Sequence, residues 1–281
     1  MSATSDTTGL AGPASQLAPP TPELRSWWAT TLSVTRRSWR PALLVTGVSI
    51  SVPETALELA RVLTEATGHH TANSLFDLAT ATSSPTAFML GIVLPALLLI
   101  AGSVTATIGW AGGVWALVGP TVTGQPVSIA DAYRYGLSRL TSLWPWTLAA
   151  AFLLIAGLYA FVVPGIYLLF ALSMFSYAVL FEHSRNPLLR SLALTHTRPG
   201  RALARWAVVA AVVVAFEAAL SLIFGALSLI LFGHPGFGAD GIGLQGALID
   251  TIHTAFAAPT GALLVIGLTI TYADLRTANR S

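Results

Sequence analysis

The sequence contains no cysteine, no lysine and few charged residues of either sign. Without cysteine the chain cannot form disulfides, iron–sulfur clusters, thiolate zinc sites or cysteine-linked lipid anchors. Only 9% of the 281 residues are charged, whereas soluble domains carry roughly 25%. This is too little polar side chain to cover a soluble globule, and 54% of the residues are hydrophobic. The composition therefore predicts an all-α, polytopic membrane helical bundle.

The basic residues of the chain are all arginine. There are 14 of them, a usage that indicates a GC-rich genome, and they raise the isoelectric point to about 9.3. A basic protein can be a nucleic-acid binder, but in membrane proteins a basic isoelectric point reflects arginines held at the cytoplasmic face. We therefore expect membrane lipids, and not nucleic acid, as partners.

The first 24 residues differ in composition from the rest of the chain. They are rich in Ser, Thr, Ala, Gly and Pro, and no apolar segment follows a basic one, so they do not form a signal peptide. We expect a disordered cytoplasmic tail over 1–24, one membrane domain over 25–277 and a short tail over 278–281.

Six apolar runs are long enough to cross a bilayer, which takes about 20 helical residues. The expected spans are residues 42–63, 86–108, 143–163, 165–181, 206–232 and 246–272. The first contains Glu54 and Glu58, in a half that can reach the far interface. No charged residue lies between Asp77 and Asp131, and this stretch could hold two crossings. We expect a single helix that ends near Trp115, because a second crossing would scatter the arginines over both sides.

The distribution of arginines predicts the direction of these spans. With the N-terminus inside, 13 of the 14 arginines lie in inner segments and only Arg61 lies outside. Cytoplasmic loops carry this excess in membrane proteins. The pattern predicts a multi-pass protein of the bacterial plasma membrane with both termini in the cytoplasm.

Basic amphipathic stretches precede three of the spans, and we expect them to form interfacial helices. The clearest begins with a capping box at Ser128 and Asp131. In the stretch that follows Pro187, one helical face, which we expect to be the packed one, carries Leu188, Leu189, Leu192, Ala193 and His196. We expect the sequence "RPG" at 198–200 to break this helix. The arginines of these stretches are candidate contacts for anionic head groups: Arg134, Arg139, Arg190, Arg198, Arg201 and Arg205.

Three segments occur in an order that resembles a known family. They are "GQPVSIADAYRYGLSRL", "VVPGIYLLFALSMFSYAVLFEHSRNPLLRSLALTHTRPGRAL" and "ITYADLR". Over about residues 120–277 the chain is similar to the membrane domain found beside glycerophosphoryl diester phosphodiesterases, and to free-standing bacterial six-helix relatives. The resemblance implies a six-span protein of poorly defined activity.

The resemblance does not imply phosphodiesterase activity. That chemistry belongs to a separate barrel domain of about 250 residues, and no histidine here precedes an arginine, as the barrel's motif requires. The chain departs from the family at Phe170–Ala171, where relatives more often carry a polar or basic residue, and in its long Ala/Pro-rich tail.

A few polar residues within the spans are candidate functional groups. Glu217 lies midway along the fifth span, where a carboxylate is either a proton or cation relay or a protonated group bonded to a neighbouring helix. Asp250 and His253 could form a metal-binding or acid–base pair on one face, without a third ligand at useful spacing, or be a helix-start aspartate and a bonded histidine. We expect His196 to be packed rather than to bind anything. The spacing predicts no metal site, no cofactor and no catalytic residue.

A stripe of small residues, Ala101, Thr105, Gly109 and Gly113, allows close helix packing. We expect that packing to be intramolecular rather than a dimer contact.

From the sequence we expect a non-enzymatic membrane scaffold or accessory protein that contacts anionic lipids or an unidentified partner, such as a second copy of itself. The alternative is a small-solute or lipid transporter that uses Glu217.

Overall fold

A computed structural model describes residues 23–66, 85–233 and 244–278, and its regular structure is helical throughout. A π-helical segment, Met89–Val93, joins the second and third helices. The α-helices of the described residues are α1 (Leu24–Ala66), α2 (Pro85–Phe88), α3 (Leu94–Thr123), α4 (Ile129–Ala160), α5 (Val162–Ala171), α6 (Phe175–Glu182), α7 (Pro187–Thr197), α8 (Pro199–Phe232) and α9 (Leu244–Ala278). The predicted tails lie outside the described residues, apart from Glu23, Leu24 and Ala278.

Six helical segments of the described chain are long and apolar enough to cross a membrane. They are Leu24–Ala60, Gly91–Thr123, Ile129–Ala160, Val162–Glu182, Pro199–Phe232 and Leu248–Thr277. The predicted all-α architecture with six spans is confirmed, and the chain is a multi-pass integral membrane protein.

The charge-free stretch forms one crossing, as expected, but the predicted end near Trp115 is wrong. Helix α3 continues to Thr123, two turns further. It ends where Gly124 takes a left-handed backbone (φ 69°) and its N–H donates to the Pro120 carbonyl. Gly119 and Pro120 stay inside the helix. A membrane helix tolerates an internal proline where neighbouring helices and small backbone adjustments compensate for the missing N–H and the clash of its ring.

Two of the three expected interfacial helices are not separate helices. The basic stretch before the first span is the start of α1, which passes through Pro41 without a break. The stretch after Ser128 likewise runs straight into the α4 span, although the predicted capping box is present: the Asp131 N–H donates to Ser128 Oγ at 3.1 Å. Only α7 is a helix of its own, because Arg198 leaves helical geometry before Pro199 begins α8.

Helix α7 packs on the face opposite to the expected one. Ser191, Leu194 and Thr195 are buried, whereas Leu189 is 64% exposed. The reason is the break between α5 and α6, which leaves backbone groups without helical partners. Ser191 Oγ donates to the Ala171 carbonyl at 2.7 Å and accepts from the Met174 N–H at 3.0 Å. A serine that faces this break therefore stabilises the structure more than a leucine would, because its hydroxyl pairs with these backbone groups.

Helix α1 packs between α3 and α9, α4 packs on α3, and α8 packs mainly on α9. The small-residue stripe allows the first of these contacts. Gly109 lies against Ser49, and a Cβ on Gly113 would be 2.7 Å from Thr46 Cγ2. Both contacts are within the chain, as expected for the stripe.

The arginine-rich segments meet at one end of the bundle, here called the arginine end. Arg139 of α4 lies 3.3 Å from His183, which follows α6. Arg276 of α9 lies 3.6 Å from Glu182, and the Arg205 guanidinium of α8 stacks over Trp27 of α1 at 5.8 Å. The starts of α1, α4 and α8 and the ends of α6 and α9 therefore share this end.

Candidate functional site: a cavity lined by acidic residues

Three titratable side chains from three different helices border one cavity within the membrane-spanning part of the chain. The cavity measures about 250 Å³, and its lining includes Glu54 of α1, Glu217 of α8 and His253 of α9. Glu217 lies 12 residues beyond Arg205 along α8, which is about 18 Å of helix. The cavity therefore lies well away from the arginine end.

The histidine faces one of the two carboxylates. His253 Nε2 lies 4.0 Å from Glu217 Oε2, and the side chains are 19% and 35% exposed. Phe224 packs edge-on against the imidazole, with ring centroids 5.5 Å apart. Glu54 is exposed on the third side of the cavity. The rest of the wall is apolar or carries threonine, as at Ile50 and Thr254.

This arrangement suits the exchange of a proton or a small cation. Ionisable side chains inside a membrane are costly, and they persist where they line a path for ions or solutes. An imidazole and two carboxylates around one space can hold a proton or a positive charge in more than one place. Within the described residues, no three His, Asp or Glu side chains are arranged to hold a metal ion.

At the arginine end, the acidic residues are surrounded by arginines. Glu182 accepts hydrogen bonds from Arg190 Nε at 2.5 Å and from the Tyr272 hydroxyl at 2.9 Å, and Arg276 lies beside it. The hydrogen bond to Glu182 raises the pKa of Arg190, so this guanidinium stays charged. The side chains belong to α6, α7 and α9, which the cluster ties together.

A second ion-pair cluster joins α8 to α9 next to the first. Arg205 Nη1 donates to Asp274 Oδ2 at 2.6 Å, and Arg201 lies 3.6 Å from the same oxygen. The side chains of Arg205 and Asp274 are only 1% and 3% exposed. This is a buried ion pair that fixes the start of α8 against the end of α9.

The six arginines expected to contact head groups fall into two sets. Arg134, with a side chain 82% exposed, and Arg198 present their guanidinium groups at the surface, and half-buried Arg139 bonds His183. The second set, Arg190, Arg201 and Arg205, takes part in the ion-pair clusters. Arg205 is corrected from a head-group contact to a structural residue, because a guanidinium that is 1% exposed offers no surface to a lipid.

The remaining candidates have defined places. His196 is exposed rather than buried, and its Nε2 lies 3.2 Å from the Tyr167 hydroxyl. The His253 side chain faces Glu217 of another helix. Asp250 has contacts within the protein, and the cavity lining includes His253 but not Asp250.

Comparison with family models, curated proteins and solved structures finds no match to this chain. The resemblance to the membrane domain found beside glycerophosphoryl diester phosphodiesterases therefore stays a prediction.

The sequence alone did not identify the partners of Glu54, Asp274 and Glu182. Glu54 is expected to reach the far interface, yet it follows Pro53 within a predicted span, which is a usable signal. Asp274 lies just outside the expected last span. Most of the partners come from helices far away in sequence, although Arg190 is only eight residues from Glu182.

Proposed function

We propose that this protein is a membrane transporter that moves a small solute and exchanges a proton or a small cation at Glu54, Glu217 and His253. The observation that supports this function is the cavity that these three side chains border, each from a different spanning helix. Relative movement of α1, α8 and α9 would change the distances among the three groups. That coupling of charge to helix position is what a transporter needs.

The alternative of a lipid-contacting scaffold explains less of the structure. A scaffold would contact lipids through exposed arginines, and three of the six candidates, Arg190, Arg201 and Arg205, are paired with carboxylates, whereas Arg134 and Arg198 stay exposed. A scaffold also gives no reason for two carboxylates and a histidine on one intramembrane cavity, where each charge is costly.

For orientation, we propose that the arginine end faces the cytoplasm of a bacterial cell, with the chain in the plasma membrane. The support is the excess of arginine at that end, which is the side that cytoplasmic loops occupy. Single cysteines introduced into the cysteine-free chain test this. A cysteine at Ser138 should resist a membrane-impermeant maleimide added outside intact cells, and rapid labelling would reverse the orientation.

Transport can be tested in proteoliposomes that enclose a pH-sensitive dye. Panels of small organic cations, amino acids and sugars are added under an imposed pH gradient, and the change in internal pH is recorded. At least one solute should move protons across wild-type proteoliposomes. Glu217→Gln and Glu54→Gln should abolish this movement, because an amide cannot release a proton.

The matched control for these variants is Glu23→Gln, which makes the same chemical change at an exposed carboxylate outside the cavity. It should transport as the wild type does. If no solute moves protons faster than in protein-free liposomes, or if Glu217→Gln transports normally, the transport proposal fails.

A role at the membrane surface is a second candidate, and the exposure of Arg134 and Arg198 favours it. Guanidinium groups near a membrane surface contribute about 1 kcal/mol each towards anionic lipids. Replacing both by glutamine should weaken the binding of phosphatidylglycerol, measured by native mass spectrometry. Unchanged binding would remove this candidate.

A further inference from the structure

A cleft separate from the acidic cavity opens between α8 and the helices α4, α5 and α6. It measures about 540 Å³. It exists because α8 packs along α9 and touches α7 but does not lie along α4. Leu143 of α4 and Val209 of α8 line facing walls, and Leu264 and Leu268 of α9 line the cleft as well.

Most polar side chains on these walls have partners within the protein. The Trp110 indole N–H donates to Ser176 Oγ at 3.0 Å, and Thr107 donates to the Ser103 carbonyl at 2.7 Å. Thr147 and Ser173 also donate to backbone carbonyls of their own segments. A buried water needs two to four polar partners, and walls whose donors are mostly engaged favour hydrocarbon over water.

The cleft is continuous with the surface that faces the bilayer. Leu169 and Val214 line it and are 42% and 66% exposed. Beyond them, the exposed surface of the spans is apolar, as at Phe152 (72% exposed) and Leu222 (75% exposed). In a membrane this opening meets lipid tails, and an unfilled cleft would forfeit the dispersion contacts of its walls.

We propose that this cleft is a binding site for a hydrocarbon chain of a membrane lipid. The site is distinct from the cavity of Glu54, Glu217 and His253, so it goes beyond the proposed transport function. Its walls recognise an acyl chain by shape and by their mostly apolar side chains. It would bind the chain of any lipid whose head group can stay at the interface.

The experiment uses the full chain in nanodiscs that contain a phospholipid with a diazirine in its acyl chain. After photolysis, the labelled residues are located by mass spectrometry. Phe175 of α6 and Leu264 of α9 line the cleft and are partly buried, so each offers some surface to a lipid tail that enters it. We expect label on both residues as well as on the exposed residues Phe152 and Leu222.

Two neighbouring substitutions on α8 provide a matched pair. Ala210 lines the cleft, whereas Ala211 is exposed on another face. Ala210→Trp should lower the labelling of Phe175 and Leu264 by roughly tenfold, because the indole fills the space that the chain would occupy. Ala211→Trp should leave the labelling unchanged.

Label confined to exposed residues in the wild type, with Phe175 and Leu264 unlabelled, would overturn the proposal. So would a crosslink from these residues to a second copy of the chain, because a protein would then occupy the cleft. The wild-type result decides the question even if Ala210→Trp fails to fold.

Discussion

Acidic side chains occur in two regions of this membrane protein, and their surroundings differ. At the arginine end, Glu182 lies between Arg190 and Arg276, and Asp274 lies between Arg201 and Arg205. In the cavity, Glu54 and Glu217 share the space with His253. At the arginine end, each carboxylate is paired with two arginines, whose charge is permanent. In the cavity, the carboxylates share the space with the His253 imidazole, which is charged only when it is protonated.

These different surroundings favour different roles for the two sets of carboxylates. A buried carboxylate enclosed by guanidinium groups has one stable state, and it ties helices together. A carboxylate beside an imidazole can gain or lose a proton with little change in the surrounding structure. We therefore expect the arginine end to contribute stability and the cavity to serve the proposed transport. Substitutions at the arginine end should then lower stability, whereas substitutions in the cavity should abolish transport and change stability little.

The largest effect on stability is expected for Asp274→Asn. This change leaves the Arg205 guanidinium buried without its counter-charge, and breaking a buried ion pair on one side costs about 3–5 kcal/mol. The free energy of unfolding can be measured by SDS titration in mixed micelles. The double variant Asp274→Leu with Arg205→Met should recover most of the loss, because it removes both charges. A single variant as stable as the wild type would remove the basis for treating this end as structural.

A smaller loss is expected for Glu182→Gln. The amide keeps the shape of the side chain but gives up the charged hydrogen bonds from Arg190 and the pairing with Arg276. Hydrogen bonds to charged groups contribute about 1.5–3 kcal/mol each, and partial exposure of Arg190 places the total near the lower limit. The same titration measures it. A loss of stability equal to that of Asp274→Asn would contradict the expectation that the more deeply buried ion pair contributes more stability.

Ser191→Ala tests a neutral contact at the break that α7 covers. It removes the hydroxyl that serves the Ala171 carbonyl and the Met174 N–H. Leaving buried backbone groups without partners costs about 1–3 kcal/mol, and water reaching the break would lower this value. Thr195→Ser, on the same buried face, is the control and should change stability much less. Equal losses in the two variants would contradict the assigned role of Ser191.

The smallest effect on stability is expected for Glu217→Gln. Its side chain is half-buried, and substitutions away from buried networks change stability by about 0.5 kcal/mol or less. The same variant should lose transport completely, as set out above. Loss of stability as large as that of Glu182→Gln would mean that Glu217 is structural, and the contrast between the two regions would disappear.

The sequence predicted those parts of the fold that depend on neighbouring residues. The six apolar runs, the capping box at Ser128 and Asp131 and the break before Pro199 are all local features. The pairing of Glu217 with His253 and of Arg205 with Asp274 is not local, because the partners lie on different helices. Hydrophobic periodicity also assigned the wrong buried face to α7, since it could not anticipate the backbone groups that Ser191 satisfies.

The contrast between the carboxylates of the arginine end and those of the cavity is tested most directly by their reaction with dicyclohexylcarbodiimide. This apolar reagent modifies protonated carboxyl groups that it can reach from the bilayer. The full chain in nanodiscs would be treated and the modified residues located by mass spectrometry. The account predicts modification of Glu217 or Glu54, with Glu182 and Asp274 protected by their arginines. Modification of Asp274 or Glu182 at the same rate, or unmodified Glu54 and Glu217, would contradict it.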